Sequence, residues 1–151
     1  MATDSARGEG AASAIARGVR RLLRAQGFCS VTELPLLDGR RADIVAVNAG
    51  GAIVIVEVKS SIADFRADHK WRDYLAHCDQ LYFAIPQTLP AEIMPAAEGL
   101  IVADAYGAAI FREAATRKVA PATRRAVLLR FAQAAADRLH RIADPSAGWD
   151  P

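Results

Sequence analysis

The sequence predicts a single α/β domain in which helices flank a mixed β-sheet. Two β-branched runs around Asn48-Ala49-Gly50-Gly51 read as a β-hairpin. Leu81 to Ile85 is apolar at both parities, so a strand there needs cover on both faces. Arginine-rich amphipathic segments at the two ends of the chain supply that cover.

Residues 1–10 carry no apolar period and are expected to form a disordered tail. A helix follows, with Ile15, Val19, Leu22 and Leu23 on one side and Arg17, Arg20, Arg21 and Arg24 on the other. Gly27 is placed to end it. Phe28 to Leu34 alternates as a strand, and Pro35 with Asp38-Gly39 makes a turn. Asp43 to Val47 and Ala52 to Lys59 form the hairpin. Ser60, Ser61 or Asp64 can cap a helix running from Ile62 to His77. Pro86 closes the strand from Leu81. Leu100 to Ala103 and Ala108 to Arg112 make a second hairpin around Tyr106-Gly107. Pro121 opens a long helix reaching Ile142. No repeat or linker divides residues 11–143, and residues 144–151 are read as a tail.

Of the 151 residues, 52% are hydrophobic and 24% charged, a balance that excludes an intrinsically disordered chain. No apolar run approaches the ~18 residues of a membrane span, and the first ten residues lack the features of a secretion signal. A cytoplasmic protein without membrane contact is expected. Cys29 and Cys78 lack disulfide or zinc spacing and read as buried, reduced thiols. The net charge of +2 permits a nucleic-acid partner without arguing for one.

Three polar residues interrupt the apolar hairpin: Asp43, Glu57 and Lys59. Glu57 and Lys59 are two apart and project from one face. Opposed hairpin residues share a constant index sum, which is even for Asp43 with Glu57. That pairing requires an odd-numbered loop, such as Ala49-Gly50-Gly51, or a bulge. Facing Cβ atoms would then lie about 5 Å apart. Two carboxylates that close repel unless a cation lies between them, and oxygen ligands with open positions suit Mg²⁺ or Mn²⁺. A lysine two residues along can orient water and offset phosphate charge, which fits metal-assisted phosphodiester hydrolysis.

Arg41-Ala42-Asp43, the run Ile53 to Val56 and Glu57-Val58-Lys59-Ser60 resemble the PD-(D/E)XK nuclease signature, with Ala42 where the superfamily is named for proline. More narrowly, the block from Gly39 to Pro86 is similar to the MmcB family of DNA-repair proteins. The resemblance implies a restriction-endonuclease-like fold, with a mixed β-sheet core flanked by helices. It implies Asp43 and Glu57 as metal ligands, the Val58 carbonyl as a third, and Lys59 as the group that positions water. Many members of that superfamily use a further upstream acid, for which Glu33 and Glu9 compete.

Lys70 and Tyr74, on the helix after the triplet, could face the cleft and touch a phosphate or order water. Trp71, Leu75 and Cys78 read as that helix's core face, and Asp68 and Asp73 as solvated charges. His69, His77 and His140 show no ligand spacing and read as surface or capping residues. For DNA contact the candidates are Arg17, Arg21, Arg24, Arg40, Arg41 and Lys70. The arginines from Arg117 to Arg141 make a second basic surface that could track a phosphate backbone. The expected function is therefore Mg²⁺- or Mn²⁺-dependent cleavage of DNA in repair. The competing expectation is a module on the same fold that binds DNA or a repair protein without cutting. A homodimer is a further expectation, and the long C-terminal helix is the docking surface a structural subunit would use.

Overall fold

The computed structural model describes residues 4–146, with side chains from residue 10 onward. Its elements are α1 (Asp4–Ala25), β1 (Cys29–Pro35), β2 (Arg41–Val47), β3 (Ile53–Val58), α2 (Ile62–Ala67), a 3-10 segment Trp71–His77, β4 (Gln80–Ile85), β5 (Gly99–Ala103), β6 (Ala108–Arg112) and α3 (Pro121–Ala143). The six strands lie in the sheet in chain order. β1, β2 and β3 are antiparallel neighbours, β3, β4 and β5 are parallel, and β6 returns antiparallel to β5. This is the expected mixed sheet flanked by helices.

Alternate residues of the central strands feed two cores. Ile15, Val19 and Leu23, spaced four apart on α1, pack with Ile44, Val54, Val56, Tyr82 and Ile101 on one face. On the other face Val127 of α3 and Trp71 and Tyr74 of the 3-10 segment cover Ile53, Ile55, Leu81, Phe83 and Leu100. Every residue of β3 is buried, as is β4 from Leu81 to Ile85. The two-sided cover expected for the strand from Leu81 is thus present.

Gly18 sets how closely α1 approaches the sheet. A Cβ built there would stand 2.0 Å from the Asp104 carbonyl oxygen and 2.5 Å from that of Gly107. Gly18→Ala is therefore expected to destabilise the protein by about 2 kcal/mol, although alanine is the better helix former. Chemical denaturation at pH 7 checks this, and unchanged stability would contradict the close approach.

Four expectations are corrected. Helix α1 begins at Asp4, inside the stretch read as a disordered tail; residues 1–3 and 147–151 lie outside the described set. The helix expected from Ile62 to His77 stops at Ala67 and resumes as the 3-10 segment at Trp71. Asp68 and His69 are weak helix formers, and with three residues per turn Trp71, Tyr74 and His77 fall together on the buried side. Tyr74, read apart from the core face, and His77, read as a surface or capping residue, are therefore buried beside Trp71. Cys29, expected to be buried, is exposed at the start of the edge strand β1. Cys78 is buried, and that burial pushes its thiol up to about 12.

The arginines of the C-terminal segment mostly serve the fold. Arg117 makes two hydrogen bonds to the buried Glu98 carboxylate, at 3.0 and 2.9 Å. Arg124 does the same to Asp79, at 2.8 and 2.7 Å. Arg138 donates to the Thr32 and Glu33 carbonyls, and Arg130 to that of Pro35. A phosphate track along this surface would retain Lys118 and Arg125, which are exposed.

Candidate active site

The site grows out of the β2–β3 hairpin. Val47 pairs with Ile53 and Ile44 with Val56, a register that sets Asp43 opposite Glu57. The loop has the odd length this requires. The Asn48 N–H donates to the Ala52 carbonyl, and the Asn48 side chain accepts from the Gly50 and Ala52 N–H groups. Gly51 takes φ +83, a conformation that is cheap only for glycine.

At the open end of the hairpin the two acids take over the hydrogen bonding. The Asp43 N–H donates to Glu57 Oε1 at 3.0 Å, and the Val58 N–H donates to Asp43 Oδ2 at 2.8 Å. Glu57 is 4% exposed. Burial, and then the facing Asp43 charge, push its carboxyl up to about 9. Burial likewise raises Asp43. Removing charged carboxylates from water favours their protonated forms, and two together reinforce the effect.

Lys59 is also buried, and its Nζ lies 2.7 Å from Asp68 Oδ2. Asp68 is placed for this by the break after α2, where it is the C-cap residue. Partial burial works to raise the Asp68 carboxyl, but hydrogen bonds from Lys59 and from the Lys70 and Trp71 N–H groups hold it below its ordinary value. The reading of Asp68 as a solvated charge was wrong. Its signal in the sequence, an acid where a charged helix meets weak helix formers, is discernible only once the helix is known to break.

A cleft of about 610 Å³ joins these groups. Asp43, Glu57, Val58, Lys59 and Tyr74 line it, together with Glu33 and Asp64. Arg17 and Arg20 from α1 and Arg41 from β2 line it as well. The Tyr74 hydroxyl donates to the Arg41 carbonyl at 2.9 Å, and burial beside the acids raises the phenol above its ordinary value. Asp64 arrives through a cap on α2: its N–H donates to the Ser61 hydroxyl, and its carboxylate accepts from the Ser60 N–H. The sequence reading placed Asp64 only as a possible helix cap and Arg20 only within the basic face of the first helix.

Glu33 lies opposite Asp43 between the pairs Thr32–Ile44 and Leu34–Ala42. It adopts φ 50, and its exposed carboxylate is 3.8 Å from Arg41. The side chain of Glu9 lies outside the described set. Lys70 is exposed away from the cleft lining. Arg40 is turned to Asp73 at 3.0 Å. Arg21 donates to the Tyr106 carbonyl, and Arg24 lies beside Phe28 and Cys29. Of the DNA-contact candidates, the structure brings Arg17 and Arg41 to the cleft and leaves the others elsewhere.

The donor set fits a hard divalent cation in a limited way. Among the described residues no group of three or more His, Cys, Asp or Glu side chains is placed to hold a metal. Asp43 and Glu57 each use one oxygen to accept a backbone N–H, and the two carboxyl groups also hydrogen-bond to each other, so a cation between them would take the place of that shared proton. Such an ion would complete its shell with water and phosphate oxygens, as Mg²⁺ commonly does.

A family model described as DNA repair protein MmcB-like matches residues 1–146. The chain belongs to that family, and membership supports a role in DNA repair. A solved structure described as the SPO1766 protein of unknown function from Silicibacter pomeroyi is 46% identical, with a TM-score of 0.87. The match covers 90% of this chain and 93% of that one. No curated protein matches the chain. Among the described residues no helix is long and apolar enough to cross a membrane.

Proposed function

We propose that this protein is a PD-(D/E)XK-type nuclease that hydrolyses phosphodiester bonds of DNA during repair, with Mg²⁺ or Mn²⁺ held by Asp43 and Glu57. The observation that carries the reading is the half-buried Asp43 carboxylate facing the buried Glu57, with Lys59 beside them, in a cleft edged by Arg17, Arg20 and Arg41. A bound cation supplies a Lewis acid for the phosphoryl oxygens and lowers the pKa of a water. The chain's residues do the rest. Asp43 and Glu57 orient that ion, with the Val58 carbonyl as a further oxygen at the same strand end. Lys59 offsets charge developing on the phosphate, and the three arginines hold the flanking backbone.

A specific observation favours a second reading. The Lys59 ammonium is engaged by Asp68 at 2.7 Å, as it could be in a module that clamps DNA without cutting. A cleavage assay on labelled single-stranded, duplex, nicked and branched DNA separates the two. Cutting with Mg²⁺ or Mn²⁺ that Asp43→Asn and Lys59→Ala proteins both lose is the expected result. Binding without cutting by all three proteins overturns the nuclease reading in favour of the module.

A further inference from the structure

We propose that a groove next to the cleft binds the single-stranded flank of a DNA substrate. The strand passes Arg17 in the cleft and leaves along α1, over Arg20 and Arg24, towards Phe28. This rests on the reading of the cleft as a DNA site, but on binding there and not on cutting. The crevice between α1 and β1 holds two cavities in succession. Thr32 and Arg20 line the cleft, while Ser30, two residues back along β1, and the same Arg20 line a second cavity of about 510 Å³. Arg20 therefore stands at the junction. Ser30 fixes its guanidinium there: Nε donates to the hydroxyl at 2.9 Å and Nη2 to the carbonyl at 3.0 Å, which leaves Nη1 for an anion.

Charge selects the occupant. The cleft mixes its arginines with Glu33, Asp43, Glu57 and Asp64, whereas the second cavity is lined by Arg20, Arg21 and Arg24 and, among the described residues, by no acid. Arg117, Arg124 and Arg138 are each engaged by an acid or a carbonyl. Arg17 and Arg24 are exposed and make no hydrogen bond or ion pair among the described residues. Arg17, Arg20 and Arg24 recur at three and four residues along one flank of α1, a row of about 10 Å at about 1.5 Å per residue. Cations in such a row suit successive phosphates of one backbone better than a single small anion. At the far end the half-buried Phe28 adds an aromatic surface to the wall. A base can stack on it only when it is unpaired, so row and ring together suit a single strand. An acidic polypeptide would use the row and have no use for the ring.

Cys29 lies in this groove and is exposed, while Cys78 is buried, so alkylation by iodoacetamide reads the groove alone. The test uses the full chain in EDTA with an oligothymidylate of about 12 nucleotides. At about ten times its Kd the oligonucleotide is expected to slow Cys29 alkylation about tenfold, followed by intact mass. By fluorescence anisotropy, Arg24→Ala should weaken its binding about fivefold and Phe28→Leu about tenfold. Arg66→Ala, exposed on α2 and outside both cavities, is the control for lost charge. An oligonucleotide that does not bind, or that binds without protecting Cys29, overturns the proposal. So do Arg24→Ala and Phe28→Leu proteins that bind as well as Arg66→Ala. Equal protection by a blunt duplex of the same length, or by polyglutamate, overturns the assignment to a single strand. Protection and weakened variants in a protein that cuts no DNA would keep the groove and remove the nuclease; cutting without them would do the reverse.

Discussion

Asp43→Asn is expected to remove Mn²⁺ binding and DNA cleavage while raising the melting temperature of the metal-free protein near pH 8. Both effects come from one arrangement. Glu57 is buried, faces Asp43, and has its carboxyl pushed up to about 9 from 4.5. A carboxyl raised on folding contributes stability that is complete below its unfolded value and is lost as pH rises toward its folded value. The native protein should therefore lose stability between about pH 4.5 and pH 9. Asparagine keeps an acceptor for the Val58 N–H and removes the facing charge, so the variant should gain about 1–3 kcal/mol at pH 8 and nothing near pH 5. Thermal melts in EDTA at the two pH values give the comparison. With Mn²⁺ added the order should reverse, because only the native site gains binding energy, about 2.7 kcal/mol at a hundredfold excess over Kd. An Asp43→Asn protein that binds Mn²⁺ like the native one would sink the metal reading; one that melts lower at pH 8 would sink the account of carboxylate repulsion.

Lys59→Met is expected to abolish cleavage too, but with the opposite effect on stability. The Lys59 ammonium and the Asp68 carboxylate are almost enclosed, with side-chain exposures of 7% and 12%. Removing one member of such a pair leaves a shielded charge without its partner, at a cost of about 2–4 kcal/mol. The double variant Lys59→Met with Asp68→Asn should recover most of that loss at pH 7 and still fail to cut. Acid provides the sign check. The Asp68 carboxyl is held below its ordinary 3.8, so its contribution is present above that value and is lost as pH falls through the lower folded value. The native protein's advantage over Lys59→Met should thus shrink below about pH 4. Urea denaturation at pH 7 and pH 3.5 measures it. Equal stability of the native and Lys59→Met proteins at pH 7 would show that the ion pair contributes nothing.

The parts of this site that sequence makes legible are those fixed by short-range geometry. The odd-numbered loop Ala49–Gly51, one of the geometries open to the hairpin, sets Asp43 opposite Glu57, and the two-residue step puts Lys59 on the same side as Glu57. The parts that were not legible depend on residues distant in the chain. Nothing near Arg124 indicates that Asp79, 45 positions earlier, will take its guanidinium. Arg117 likewise gives no local sign of the buried Glu98. A row of arginines therefore looks like a surface for phosphate until the partners are in place. The break after Ala67 failed for a different reason. Trp71, Leu75 and Cys78 fit an α-helical period, so nothing local marks the break, and only the packing of Trp71, Tyr74 and His77 selects the tighter helix.

Strand order equal to chain order has a kinetic consequence. Each strand's first partner is the one synthesised just before it, so loop closure along the sheet stays short and the entropic barrier low. The β2–β3 hairpin, closed by a three-residue loop, should be structured early in the folding transition state, with φ-values there above those of α3, whose clamps to Asp79 and Glu33 span 45 and 105 positions. Asp43 and Glu57 would then be brought face to face at the start of folding, and the late docking of α3 would close a sheet that already carries them.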